Sequence, residues 1–415
     1  MAKTAENLIE ELRFEVELIL CCARTRINPD GEKRISRLLE KSIDWDYLMS
    51  AAFHHGILPL LSRHLSQPSV TPVPDTVRKQ LRDASNAIAR LNLMLSGELL
   101  ALTNRLHDRG IRALPFKGPV LAATAYGNLS FRQFCDLDIL VHKTDMLKAK
   151  EVLMERGFEP VLELSAAEEQ VYLDTHHDYK FTRRRDGIAV EIQWGVTQWS
   201  FTFPLDFEDL WARHDEFVLA GEKVRTLSPD DLLLVLCVHG AKHHWDGLKW
   251  ISDVAELAAA YREQIDWHRL IGWARDQGGE RMLLLGLYLA HELLDADLPE
   301  DILKRIRVDV QIKSLAGQVI KRLFPDPAEN ETLGDERPIF YWRCRERLRD
   351  KLAIGWRYSP EYFRRMFVPN SKDHAALQLS PYLSFGYYFV RPIRLMKQRI
   401  YNFLRHRESS RNGNR

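Results

Sequence analysis

Two aspartates one residue apart are the feature of this sequence best suited to chemistry. Asp136 and Asp138 open the stretch Asp-Leu-Asp-Ile-Leu-Val at 136–141. Residues two apart on a β-strand point to the same face, so both carboxylates would lie on one side while Leu137 and Ile139 enter the core on the other. Like charges this close raise each other's proton affinity, and a divalent cation removes that cost. Mg²⁺ takes oxygen ligands and keeps positions open for phosphate oxygens, so the pair predicts phosphoryl chemistry.

A third carboxylate, Glu191, lies between the apolar residues Val190 and Ile192. On a strand it would face away from both, and it can join the aspartates if the two strands are neighbours. An Asp-x-Asp pair at the start of a strand is more often solvated or caps a turn. Lys117 and Gly118, at the end of the preceding apolar stretch, favour the catalytic interpretation over that one.

The elements that must position these residues follow from hydrophobic spacing. Residues 1–110 have helical spacing, and 111–228 alternate short apolar strands with helices, including a hairpin signal in the Asp-Gly pair at 186–187. Helical spacing returns over 229–330 and continues in a C-terminal helical region at 331–415. The sequence therefore predicts a small α/β domain between helical regions.

Composition narrows the class of protein. A chain of 415 residues is too long for one core, and its 45% hydrophobic and 28% charged residues are typical of a soluble globular protein. The formal net charge is +1, so any basic binding surface must be local. The five cysteines form no C-x-x-C pair, and the apolar stretches are too short for a transmembrane segment. The first residues lack an apolar h-region, so we expect no signal peptide there. We expect a cytoplasmic protein.

The order of several short motifs resembles the uncharacterised nucleotidyltransferase family of the polymerase-β-like superfamily. The resemblance covers nearly the whole chain. The motifs that carry it are Asp44-Trp45, His54-His55-Gly56, Lys117-Gly118, Tyr126-Gly127, Arg132, Asp136 to Val141, His239-Gly240-Ala241-Lys242-His243, Trp245, Lys249-Trp250, Asp253 and Arg391-Pro392.

This resemblance implies an α+β fold, in which a small mixed-sheet nucleotidyltransferase domain is flanked by helical regions. It implies two Mg²⁺ ions, with Mn²⁺ as an alternative, on the catalytic carboxylates Asp136, Asp138 and Glu191. The donor would be an NTP, with ATP expected, and pyrophosphate would leave. Two departures stand out: Lys117-Gly118 replaces the usual Gly-Ser, and Gln193 replaces a histidine in the acidic-x-His-Trp pattern.

Residues near the aspartates are candidates for nucleotide binding. Lys117 would supply charge to the phosphates, and Gly118 would let the backbone approach them. Arg132 is interpreted as a bidentate phosphate clamp, with a surface arginine or an ion-pair partner for the aspartates as the alternatives. Ser130 is either a phosphate ligand or a turn residue.

A helical face supplies the last nucleotide-binding candidate. Lys242 shares a face with His239 and His243 at spacings i, i+3 and i+4. This face either lines the nucleotide cleft or packs on the α/β domain, and Asp253 is a candidate ion-pair partner for one of its cations. His176-His177-Asp178 is interpreted as a solvated turn rather than part of the acceptor site.

Arginines alternate with aromatic residues over 387–415. This basic tail is compatible with RNA or membrane-surface contact, or with a helix that packs through its aromatics. Two other functions therefore stand beside the enzyme: a catalytically inactive nucleotide-binding module, and an RNA- or membrane-associated adaptor. The acceptor stays open between small molecules, peptides, proteins and RNA, because superfamily members differ there.

Overall fold

The structure, a computed structural model, has the mixed α+β fold that the sequence predicts. It describes residues 12–67, 70, 72–196, 203, 206–325 and 337–355. Residues 1–350 form one compact unit and residues 351–415 a second. The basic tail at 387–415 lies outside the described residues, and the bounds of the four predicted regions stay predictions.

The N-terminal part is helical, as its spacing predicts. Asp44 caps the third helix by accepting a hydrogen bond from the N–H of Tyr47, and the last helix ends just before Gly110, whose φ is +70°. These helices are α1 (Phe14–Cys22), α2 (Pro29–Leu39), α3 (Trp45–His54), α4 (Leu58–Leu65) and α5 (Asp75–Asp108).

A mixed five-stranded sheet follows, with strand order β1-β2-β5-β4-β3. The β2–β5 pair is parallel and the other pairs are antiparallel. Its strands are β1 (Ala113–Pro115), β2 (Asp136–Val141), β3 (Glu159–Pro160), β4 (Asp178–Arg183) and β5 (Ile188–Gln193). The helices between them are α6 (Pro119–Thr124), α7 (Met146–Glu155) and α8 (Ala166–Thr175).

A short helix and a separate hairpin lead from the sheet to the second helical part. They are α9 (Phe207–Ala212), β6 (Asp215–Leu219) and β7 (Glu222–Thr226). The helices that follow are α10 (Pro229–Lys242), α11 (Leu248–Ala260), α12 (Trp267–Asp276), α13 (Glu280–Leu294), α14 (Glu300–Val308), α15 (Val310–Leu323) and α16 (Arg337–Cys344). Within the described ranges, no helix is long and apolar enough to cross a membrane.

The two faces of the central strands differ in polarity. Leu137 and Ile139 are fully buried on one face of β2, as predicted, in a core that they share with Val190 and Ile192 of β5. The residues between them alternate onto the other face. That face carries the aspartates of β2, so packing on one side of the sheet fixes the direction of the carboxylates on the other.

A tight turn brings α11 back against α10. Trp245, in this turn, is fully buried, and a Cβ atom at Gly240 or Gly286 would lie only 2.5 or 2.8 Å from its ring. His244 and Trp245 have φ values of +55° and +56°, which is the left-handed region. Glycines on α10 and α13 therefore make room for the tryptophan that anchors the turn.

Candidate active site

The three predicted catalytic carboxylates lie on one face of the sheet. Strands β2 and β5 are parallel neighbours, and Asp138 lies opposite Glu191 in their register. Asp136, two residues before Asp138, points the same way. All three line a cavity of about 400 Å³. Glu191 was predicted to join the aspartates if their two strands were neighbours, and β2 and β5 are neighbours in the sheet.

Two lysines and a glutamine engage these carboxylates. Lys117 Nζ donates to Asp138 Oδ1 at 3.0 Å, and Gln193 Nε2 donates to the same oxygen at 2.7 Å. Lys180 of β4 forms an ion pair with Glu191, its partner in the strand register. In the part of the chain that is described, no three His, Cys, Asp or Glu side chains are grouped so as to hold a metal ion.

Two of the three carboxylates have raised pKa values. Burial, reinforced by the charge of Asp138, raises the pKa of Asp136 above its usual value. Burial also raises the pKa of Glu191, although the hydrogen bond from Lys180 acts in the opposite direction. A further positive charge at this face would relieve both effects.

The opposite wall of the cavity comes from α10 and α11. His239, Lys242 and His243 line it, together with Lys249 and Trp250. Of the two interpretations of the helical face, the one in which it lines the cleft matches this position. The cavity thus places carboxylates on one side and ammonium groups with aromatic rings on the other.

His177 holds Lys242 in place. Lys242 Nζ donates to His177 Nε2 at 3.0 Å, and His177 Nδ1 lies 3.2 Å from Asp178 Oδ1. Burial, with the nearby charge of Lys242, lowers the pKa of His177 to about 4, so the ring is neutral and can accept. His177 is only 5% exposed, and the solvated-turn interpretation of 176–178 is wrong for it.

Arg132 lines the cavity, but its guanidinium group is bound to Asp253. Its Nε and one terminal nitrogen donate to the two carboxylate oxygens of Asp253 at 2.7 and 2.8 Å, and the Tyr126 hydroxyl donates to Asp253 at 2.8 Å. The proposed pairing of Asp253 with a cation of the 239–243 face is therefore wrong. Arg132 is an ion-pair partner, as one alternative held, but of Asp253 rather than of the aspartates.

The loop that carries Arg132 is fixed from the long helix. Asn92 of α5 is fully buried, and its Nδ2 donates to the carbonyls of Leu129 and Arg132 at 2.6 and 2.8 Å. Ser130 lies in this loop, where its N–H donates to Asn128 Oδ1. Ser130 is not among the residues that line the cavity. It occupies the position of a turn residue, the alternative to a phosphate ligand.

Two glycines allow close packing around the site. Gly118, before α6, has φ +47°, and a Cβ there would lie 3.2 Å from the backbone oxygen of Asp136. Gly56, after α3, has φ +70°, and a Cβ there would lie 2.8 Å from Lys249 Cδ. The carbonyl of His55 also accepts the N–H of Lys249 at 3.0 Å. The N-terminal helices therefore help to place a lysine of the cavity.

We expect Gly118→Ala to destabilise the protein by about 1–3 kcal/mol, because alanine is strained at this φ and crowds Asp136. Urea unfolding measures the change. Gly97→Ala is the matched control, since Gly97 lies in α5 with open space around it. That control should be neutral or stabilising by up to about 1 kcal/mol. Equal effects of the two substitutions would contradict the strain argument.

The buried histidines predict a stability that falls in acid. Burial lowers the pKa values of His55, His177 and His243 to about 4 in the folded chain, whereas an unfolded histidine titrates near ~6.5. Between these values the unfolded state binds more protons, so stability is full above about 6.5 and is lost as pH falls toward 4. Three such groups give a slope of up to about 4 kcal/mol per pH unit.

The raised pKa values of Asp136 and Glu191 act in the opposite direction and reduce that slope. Urea titrations at pH 7, 6 and 5 would measure it. A free energy of unfolding that does not change between pH 7 and 5 would contradict the prediction. His55 lies outside the cavity lining. His55→Gln should lower the slope of the unfolding free energy against pH by the contribution of one titrating group.

Comparison with known proteins gives a family assignment. Residues 41–295, more than half of the chain, match the model of a family described as uncharacterised nucleotidyltransferase. No curated protein matches the chain. Among solved structures, an antigenic nucleotidyltransferase-like protein from Paracoccidioides brasiliensis is similar at 16% identity, over 50% of this chain and 93% of its own, with a TM-score of 0.29.

Proposed function

The chain belongs to the uncharacterised nucleotidyltransferase family, and from that premise we propose that it transfers a nucleoside monophosphate from an NTP to an acceptor hydroxyl or phosphate, releasing pyrophosphate. One observation carries the proposal: Asp136, Asp138 and Glu191 share one face of a cavity whose opposite wall is basic. The acceptor is a small molecule, a peptide or protein, or RNA.

The donor set suits Mg²⁺, or Mn²⁺ in its place. Three carboxylates on one face supply hard oxygen ligands, and the raised pKa values of Asp136 and Glu191 mark a position where positive charge is favoured. Among the described residues these carboxylates are not grouped as a metal site while Lys117, Lys180 and Gln193 engage them, so metal binding would require those contacts to be released. Two bound ions would supply the charge that stabilises the phosphoryl group during transfer. Lys117 and Lys180, which now neutralise the carboxylates, would be displaced from them and become available to phosphate oxygens.

Charge balance also supports a metal–nucleotide complex as the ligand. The lining residues of the cavity include four carboxylates and four lysines, besides Arg132, which Asp253 neutralises. A bare triphosphate would be repelled by the carboxylates, and a bare cation by the lysines. A complex of the cation with the triphosphate carries both charges, so it complements the carboxylates and the lysines at once. ATP is the expected NTP.

Each wall has a proposed task. Lys242, oriented by His177, would contact the phosphate chain from the α10 side, and Lys117 from the sheet side. Gly118 keeps the start of α6 close to Asp136, where the backbone can approach the phosphates. Arg132 would act mainly by fixing the loop before Asp136, because its fork is bound to Asp253.

The test is transfer of label from each of the four α-³²P NTPs, with Mg²⁺ and a cell extract as the source of acceptors. Label on a stable product would support transfer, and the size of the product would identify the acceptor class. Absence of labelled product with every NTP, although the nucleotide binds, would overturn the proposed activity.

We expect Mg²⁺ and NTP together to stabilise the wild type more than the sum of their separate effects. Each ligand removes the charge that repels the other. At 100 times the dissociation constant, a ligand that binds only the folded state adds about 2.7 kcal/mol. Thermal unfolding with Mg²⁺ alone, with NTP alone and with both ligands would measure the three stabilisations. Asp136→Asn should lose the synergy, and an additive response in the wild type would contradict it.

A nucleotide-binding protein without turnover is the second candidate, and Gln193 favours it. This side chain does not titrate, and it occupies Asp138 Oδ1 at 2.7 Å. Nucleotide binding without labelled product distinguishes this function from transfer. For either function we propose a cytoplasmic location, which the five free cysteines support.

A further inference from the structure

Three aromatic rings form one wall of the cavity. The ring centroids of His239 in α10 and of His243, just after the end of α10, are 4.5 Å apart. Trp250 of α11 lies 5.7 Å from His239, nearly perpendicular to it, and 5.2 Å from His243. The three residues, here called the aromatic wall, line the same cavity as the carboxylates.

Packing alone does not account for the aromatic wall. Trp245, which anchors the turn between the same two helices, is fully buried. Trp250, His239 and His243 are only partly buried and face the cavity. An aromatic surface that stays open beside a charged site is suited to a flat ligand group.

The hydrogen-bonding groups of the two imidazoles are unused. Among the described residues, neither the His239 nor the His243 side chain has a hydrogen-bond partner, whereas the His177 ring in the same cavity accepts from Lys242. Burial lowers the pKa values of both rings, and Lys117, Lys242 and Lys249 act in the same direction. Each ring is therefore neutral, with one N–H donor and one acceptor nitrogen.

These properties suit a nucleobase better than a phosphate. A phosphate is bound best by charged donors, which the lysines already supply. A nucleobase offers a π face for stacking and an edge with both donors and acceptors. A neutral donor–acceptor pair beside an indole complements both features.

We propose that His239, His243 and Trp250 form the subsite for the nucleobase of the NTP, in which Trp250 stacks on the base and the imidazoles hydrogen-bond to its edge. This inference rests on the proposed function, because it assigns one part of the same ligand. It divides the cavity into a base side on α10 and α11 and a phosphate side made by the carboxylates and lysines.

The test compares two ligands, measured by calorimetry with Mg²⁺: an NTP, and inorganic tripolyphosphate, which has the phosphate chain without the base. Trp250→Leu should weaken NTP binding by about 10- to 100-fold, as expected for a lost base stack. It should leave tripolyphosphate binding within about threefold of the wild type. Trp250→Phe, which keeps a ring, should recover most of the NTP affinity and guards against a folding defect.

Two control variants distinguish loss of the base contact from a general loss of binding. Lys242→Met should weaken both ligands, and Trp273→Leu, on α12 and outside the cavity lining, should weaken neither. Equal losses for both ligands in Trp250→Leu, or no loss for either, would overturn the inference alone. A wild type that binds tripolyphosphate as tightly as NTP would do the same. A wild type that binds neither would overturn the proposed function, and the inference with it.

Discussion

Replacing Asp138 by Asn is expected to reduce nucleotidyl transfer by a factor on the order of 10³ or more, because charge stabilisation in the transition state is lost. Asp138 is 6% exposed and lies at the centre of the carboxylate face, opposite Glu191 and two residues after Asp136. No other side chain on β2 can replace it there. The loss should appear mainly in kcat, since the lysines that hold the phosphates remain.

The fold should survive this substitution. The Asn oxygen can still accept the hydrogen bonds that Lys117 Nζ and Gln193 Nε2 now donate to Asp138 Oδ1. Labelling with α-³²P NTP measures transfer, and urea unfolding checks the fold. Asp174→Asn is the control, because Asp174 is an exposed aspartate paired with Lys143 on the surface. If the Asp138→Asn protein is folded and turns over normally, the carboxylate face takes no part in catalysis.

The carboxylate face was predictable from the sequence because strand periodicity is local. The spacing of Asp136 and Asp138 fixes that they share a face, and the apolar neighbours of Glu191 fix its direction. Only the pairing of β2 with β5 needed the structure. The long helix at 75–108 and the helices after 229 were likewise predictable, because their apolar spacing extends over many turns.

The interactions that sequence reasoning missed join residues far apart in the chain. Arg132 and Asp253 are 121 residues apart, and Asn92 reaches a carbonyl 40 residues away. His177 stands in a polar segment that carries no periodic signal of burial, and its partner Lys242 is 65 residues away in the chain. A buried polar residue within an apolar helical stripe, as Asn92 is, is the signal that was available.

The β6–β7 hairpin was also missed, for a local reason. Its turn consists of Ala220 and Gly221, with φ values of +50° and +89°. Asn-Gly or Asp-Gly is the usual signal for such a turn, and alanine rarely adopts a positive φ. Half of the strand residues of 215–219 and 222–226 are charged, so the alternation of apolar and polar residues is weak.

Replacing Asp253 by Ala is expected to destabilise the protein by about 3–5 kcal/mol, because it leaves a buried arginine without its counter-charge. Asp253 is 1% exposed and Arg132 6% exposed. The substitution also removes the acceptor of the Tyr126 hydroxyl, which is buried as well. Urea unfolding would measure the loss, and Asp253→Asn, which keeps one acceptor oxygen, should lose less.

The exposed pair of Lys79 and Asp83 provides the control. Its side chains are 74% and 61% exposed, so Asp83→Ala should leave the free energy of unfolding nearly unchanged. A similarly small loss for Asp253→Ala would mean that water reaches Arg132 once its partner is gone. The expected large loss would instead tie the second helical part to the loop before Asp136, since α11 supplies Asp253 and that loop supplies Arg132. The stability of the helices and the position of the carboxylates would then depend on the same ion pair.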